Sequence, residues 1–96
     1  MDFSKFEEIG FEWNEGNLAE IEGHDIGDWE CEECFFNDQQ VYRNKRKQRP
    51  YPTYRLVGRT DAGRELSVIF FVSERHRTEI RRTAAVVRII TAWPME

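Results

Sequence analysis

The sequence predicts an α+β domain, with two helices near the N-terminus followed by the four strands of an antiparallel sheet. Two observations carry this. Up to about residue 38 the apolar residues recur at helical spacing between cap-type residues, whereas after it they alternate or run together. The punctuation changes at the same place, to the Pro and Gly turns that join strands. The chain's 96 residues suit one domain spanning residues 1–96. A 40% hydrophobic content is enough to build a core and argues against a wholly disordered chain.

The elements follow in order. Phe3, Phe6, Ile9, Phe11 and Trp13 open the chain, and Gly10–Trp13 reads as a short strand or an extended lead-in. Asn14 is placed to cap a helix whose buried face is marked by Leu18 and Ile21, and Gly23-His24-Asp25 ends it. Gly27-Asp28 starts a second helix, with Asp28 as its expected cap. Cys31, Cys34 and Phe35 form its apolar stripe, Glu30, Glu32 and Glu33 face water, and Asn37-Asp38 closes it. Gln40–Gln48 reads as the first strand, and Arg49-Pro50-Tyr51-Pro52 must turn because two prolines do not fit a central strand. Thr53–Thr60, Arg64–Ser73 and Val86–Trp93 are the other strands, with Asp61-Ala62-Gly63 as a hairpin turn in which Gly63 takes a positive φ. Residues 74–85 fit a short helix, a hairpin extension or a loop.

The net charge of −4 conceals a division. Residues 1–38 carry 13 Asp/Glu against Lys5 alone, and residues 39–96 carry 13 Lys/Arg against 5 Asp/Glu. A basic half on an acidic chain points to nucleic acid, and the plainer alternative is that the halves neutralise each other within the fold. The tract Arg43, Lys45, Arg46, Lys47 and Arg49 is the densest positive feature. It reads as an edge that tracks phosphates, or as an edge strand kept from aggregating by its charge.

Cys31 and Cys34 form a CxxC, but a zinc site needs about four ligands and the only imidazoles are His24 and His76. Glu32 and Glu33 between the cysteines would raise a thiol pKa, against redox use. Two small apolar side chains on a buried helix face are therefore expected, with no metal and no cofactor. No apolar run approaches the roughly 20 residues of a membrane span. The first residues have no apolar signal core. A cytoplasmic protein is expected, and a transmembrane protein, a collagen, a coiled coil and a secreted disulfide scaffold are excluded.

Several runs together carry a family resemblance: Phe11-Glu12-Trp13-Asn14; Asn17, Ile21, His24 and Ile26; Glu33-Cys34-Phe35; Gly58-Arg59-Thr60-Asp61-Ala62-Gly63-Arg64-Glu65-Leu66; and Val87-Arg88-Ile89-Ile90-Thr91-Ala92. In order and spacing, over residues 11–93, the chain resembles the BrnT toxins, a RelE/ParE-like family of bacterial type II toxin–antitoxin pairs. The resemblance implies helices packed on a four-stranded antiparallel sheet. It implies metal-independent endoribonuclease action on mRNA, free or on the ribosome, that inhibits translation. It also implies a cognate antitoxin protein with a DNA-binding element, and a homodimer or a heterotetramer with that antitoxin. Asp25 stands where the family usually has Gly, a left-handed position that Asp tolerates. Trp93 stands where it usually has Arg, which removes a cation from the expected RNA face, and the family's charged C-terminal helix has no counterpart before Glu96. The alternative these departures favour is a degenerate toxin-like module that holds RNA or a protein without cleaving.

RNA cleavage without a metal needs a base for the 2′-hydroxyl, cations for the phosphorane and an acid for the leaving oxygen. Arg59, Arg64 and Arg88 are the expected cations, because the guanidinium fork matches phosphate. They are expected to converge on neighbouring strands, although each is equally readable as a solvated strand residue. His24 is the expected imidazole, being matched by the resemblance and lying at a helix C-terminus; its plainer role is a cap. His76 reads as a loop residue. Tyr42, Tyr51 and Tyr54 are placed to stack on bases or to pack across strands.

Overall fold

A computed structural model describes residues 8–44, 51–77 and 82–95. Its elements are β1 (Glu8–Glu12), α1 (Glu15–Glu22), α2 (Asp28–Phe36), β2 (Gln39–Asn44), β3 (Thr53–Arg59), β4 (Glu65–Arg77) and β5 (Arg82–Pro94). The sheet is five-stranded in the order β1-β5-β4-β3-β2. The α+β class is as expected, but the sheet is mixed rather than four-stranded and antiparallel. The lead-in is a strand that runs parallel to β5, from Glu8 opposite Ala84 to Glu12 opposite Arg88. Ile9 and Phe11, two apart, pack against the core from this strand.

Each helix starts on a specific cap. Asn14 and Asn17 exchange backbone-to-side-chain bonds of 2.7 and 3.0 Å in a reciprocal capping box. At α2 the cap is Gly27 rather than Asp28, because the Glu30 carboxylate reaches back to accept the Gly27 N–H at 3.1 Å. Ile21 and Asn17 are the buried residues of α1, with Leu18 only half-buried. On α2 they are Cys31, Cys34 and Phe35, the expected stripe.

The core lies between the helices and one face of the sheet. Phe35 is at its centre, edge-to-face with Phe70 of β4 at 4.9 Å and with Phe11 of β1 at 5.2 Å. Burying each such ring contributes roughly 1.5–3 kcal/mol. A Cβ on Gly58 would come within 2.9 Å of Leu56 Cδ2 and 3.1 Å of the Cys34 carbonyl, so glycine is what lets α2 settle onto β3.

β3 and β4 pair around the Asp61-Ala62-Gly63 turn, where Gly63 has φ +88° as expected. β4 and β5 are each 13 residues long and pair as far as Arg77 opposite Arg82. Of the readings of residues 74–85, a hairpin extension is the one seen up to residue 77 and from residue 82. Phe3, Phe6, the second half of the Gln40–Gln48 strand and residues 78–81 lie outside the described residues. A bulge interrupts the β4–β5 ladder: Ile69 pairs with Thr91 but Phe70 with Ile89, which leaves Ile90 as the extra residue. Among the described residues no helix is long and apolar enough to cross a membrane.

Candidate nucleic-acid interface

The helices cover one face of the sheet and leave the other open. The register assigns Tyr42, Arg55, Val57, Ser67, Ile69, Phe71, Arg88, Thr91 and Trp93 to the open face. Arg55 lies flat across its centre. Its Nε donates to Ser67 Oγ at 2.7 Å, and its guanidinium carbon is 6.0 Å from the centre of the Trp93 ring. Tyr51 packs on Phe71, with ring centres 4.4 Å apart. The face is therefore built of aromatic surface and guanidinium, the combination that stacks bases and neutralises phosphates along a single strand.

The bulge shapes the edge of this face that adjoins α1. Residues 88 and 91 would fall on opposite faces of an uninterrupted strand. The extra Ile90 restores them to one face, so Arg88 sits opposite Phe71 and Thr91 opposite Ile69. β1 ends level with Arg88, and α1 takes over along the β5 edge. There the Asn17 amide donates to the carbonyls of Glu12 and Ile89 at 3.1 and 3.0 Å, in place of a ladder bond.

A groove of about 730 Å³ opens where helix and sheet meet, lined by Asn14, Gly16, Asn17, Glu20, Tyr51, Phe71 and residues 88–91. Glu20 Oε1 accepts from Thr91 Oγ1 at 3.0 Å and lies 3.8 Å from His24 Nε2. Glu12 Oε1 is 3.3 Å from Arg88 Nη1.

The expected site residues are thus divided. Arg88 lines this groove, and His24 is joined to it through Glu20. Arg59 and Arg64 stand at the β3–β4 turn, six to seven residues or roughly 20 Å further along the strands. The expected convergence of the three arginines is therefore not what the fold builds. Arg59 is exposed and pairs across the strands with Glu65. Arg64 is tied down: its Nη1 donates to the Asp25 carbonyl at 2.9 Å and to both Glu30 oxygens at 3.1 and 3.2 Å. Asp25 presents that carbonyl from a left-handed conformation, φ +61°, which Asp tolerates.

The α2 glutamates are also partnered rather than simply solvated. Besides Glu30, Glu32 accepts from Trp13 Nε1 at 2.9 Å and Glu33 accepts the Asp61 N–H at 3.0 Å. Arg43 is exposed on β2, while Lys45, Arg46 and Lys47 lie outside the described residues. His76 belongs to β4 rather than a loop, opposite Thr83. Tyr42 and Tyr51 belong to the open side, but Tyr54 packs on Phe70 at 5.8 Å, on the core side.

Sequence reasoning missed Glu20, Glu12, Thr91, Arg55 and Phe71 as site residues, and took Trp93 only as a lost cation. The alternation of β3 and β4 could have flagged Arg55 and Phe71 as sharing a face; nothing local marks Glu20.

The thiols of Cys31 and Cys34 are free, buried and pushed up to about 12. Burial is the main cause, helped by Cys34 and then Glu30 at Cys31, and by Glu33 at Cys34. Protonated thiols of this kind are core groups, poor nucleophiles and poor metal ligands. Among the described residues, no group of three or more His, Cys, Asp or Glu is arranged to hold a metal ion.

No protein-family model matches the chain, and no curated protein matches it.

Proposed function

We propose that the open sheet face binds single-stranded RNA and that the groove beside it cleaves the strand without a metal. In this reading the chain is the toxin of a type II toxin–antitoxin pair, an mRNA endoribonuclease that inhibits translation and is neutralised by a cognate antitoxin. The observation that carries the chemistry is the groove wall shared by Glu20, Thr91 and Arg88, where the Glu20 carboxylate accepts from Thr91 and lies 3.8 Å from His24 just outside the groove. These are the three group types the reaction asks for. Glu20 is suited to take the 2′-hydroxyl proton, Arg88 to meet the charge on the phosphorane, and His24 to supply a proton to the leaving oxygen. Tyr51, Phe71 and the Arg55–Trp93 pair supply stacking surface beside them. The resemblance to BrnT toxins supports the biological setting.

A second reading is a toxin-like module that binds RNA without cleaving it. Arg88 already faces Glu12, and Arg59 and Arg64 stand at the β3–β4 turn, so the cations expected at the phosphate do not gather in the groove.

The test is an end-labelled single-stranded RNA incubated with purified protein in EDTA. Salt-sensitive binding with cleavage, abolished by Glu20→Gln and weakened by Arg88→Ala, supports the nuclease. Binding with no cleavage selects the second reading, and no binding removes both.

A further inference from the structure

The side of α2 turned away from the sheet carries two large exposed aromatics. Trp29 is 61% and Phe36 66% exposed. Seven residues apart on a helix, they stand on one side, about 10 Å from each other along the axis. Cys31, Cys34 and Phe35 fill the inner side of the helix, and although one edge of Phe36 meets Phe11 of β1 at 6.2 Å, most of both rings stays in solvent. A tryptophan and a phenylalanine left in one exposed stripe mark a surface that is covered by something else.

The surroundings select the occupant by charge. Residues 8–38 contain eleven Asp/Glu and no Lys or Arg. Arg64, which reaches this layer from the β3–β4 turn, is already committed to Glu30 and the Asp25 carbonyl. Between the two rings the carboxylates of Glu32 and Glu33 are held in place by Trp13 and the Asp61 N–H. Beside Trp29 lies a cleft of about 450 Å³ whose walls include Glu22, Asp25, Glu30 and Arg64; Glu30 pairs with Arg64, so Glu22 and Asp25 leave the cleft net negative. An indole edged by carboxylates suits a long cationic side chain lying along the ring, through cation–π attraction and charge together.

We propose that the outer side of α2 docks a basic amphipathic segment of a partner protein, with Trp29 and Phe36 as apolar anchors and the cleft beside Trp29 receiving a Lys or Arg side chain. This goes beyond the RNA reading and does not depend on it. The surface lies on the helical side of the sheet, so a partner seated there leaves the open face accessible.

The probe is a synthetic amphipathic helical peptide of leucine and lysine, compared with its leucine and glutamate counterpart by titration calorimetry and amide NMR. The lysine peptide is expected to bind, more weakly as salt rises, and to shift α2 amides rather than those of β2 and β3. The glutamate peptide is expected not to bind. The double variant Trp29→Ser, Phe36→Ser should stay folded, with an α2 amide pattern like the parent's and a modest stability loss from the Phe11–Phe36 contact, and bind the lysine peptide about 10-fold or more weakly. No binding by the parent, equal binding of both peptides, shifts confined to the sheet, or undiminished binding by the double variant each overturns the proposal. Labelled RNA titrated into the parent separates the two readings. Retained peptide binding without RNA binding by the parent fails the RNA reading alone, and the reverse fails this one alone.

Discussion

Arg64 and Arg88 are the same kind of side chain in different places, one in the turn that enters β4 and the other halfway along the β4–β5 ladder. At the turn end Arg64 Nη1 makes three contacts between 2.9 and 3.2 Å, and its partner Glu30 is only 17% exposed. Around it Asn37 bridges the Arg59 carbonyl and Asp61, and Glu33 holds the Asp61 N–H. At the groove end Arg88 Nη1 has one carboxylate at 3.3 Å, with both side chains more than 40% exposed. A guanidinium locked from several sides staples a loop to a helix. One with a single exposed partner can exchange it for a phosphate at little cost. The position of each arginine relative to the acidic helices, rather than its residue type, separates the two roles.

The sharpest way to disturb the groove end is Asn17→Ala. It removes a cap and two bonds that tie α1 to β1 and β5, and should cost about 2–4 kcal/mol in urea unfolding. RNA binding should fall with it even at temperatures where the protein remains folded.

The comparison itself is tested by the two arginines side by side. Arg64→Ala should lower stability by about 1–2 kcal/mol, a buried-pair loss discounted for partial exposure, and leave RNA affinity unchanged. Arg88→Ala should do the opposite, weakening RNA binding about 10-fold with a stability change under about 1 kcal/mol. Equal effects of the two on melting and on binding would erase the distinction drawn here.

The last test concerns the thiols. In the unfolded chain they ionise near 9.0, and in the fold they keep their protons up to about 12. Between those values the unfolded state binds fewer protons, so stability falls as pH rises. Below the lower value the contribution is fully present. The loss approaches about 1.4 kcal/mol per pH unit for each thiol. Melts at about pH 8 and about pH 10 should differ more for the parent than for a Cys31→Ala, Cys34→Ala variant, whatever that variant loses in packing.

What was legible in the sequence was local. The α2 stripe and the Asp61-Ala62-Gly63 turn are set by neighbours a few residues apart, and both formed as expected. The β1–β5 pairing joins Glu12 to Arg88 across most of the chain, and no local pattern announces it. Asn17 reads as an ordinary polar helix residue until β5 is known to run beside it. Tyr42 and Tyr54 look alike in sequence. They part company because a residue's face follows from its parity in the register, which the turn lengths set. The site was half legible: Arg88 and His24 could be picked by residue type, whereas Glu20 acquires a role only when α1 is laid against the bulge.

That bulge divides β5 into two stretches of opposite phase. Before Ile90 the odd-numbered residues Ala85, Val87 and Ile89 are the buried ones; beyond it the even-numbered Ala92 is. Removing the single residue Ile90 would bring the stretches into step with every face kept, because Ile89 and Thr91 would then lie opposite Phe70 and Ile69 in unbroken alternation, with Ala92 still inward beside Val68 and Trp93 still outward. A deletion at a regularly paired position such as Val86, opposite Ser73, has no spare residue to absorb it and would reverse the faces on one side of the gap. β5 should therefore bear the loss of Ile90 far better than the loss of Val86.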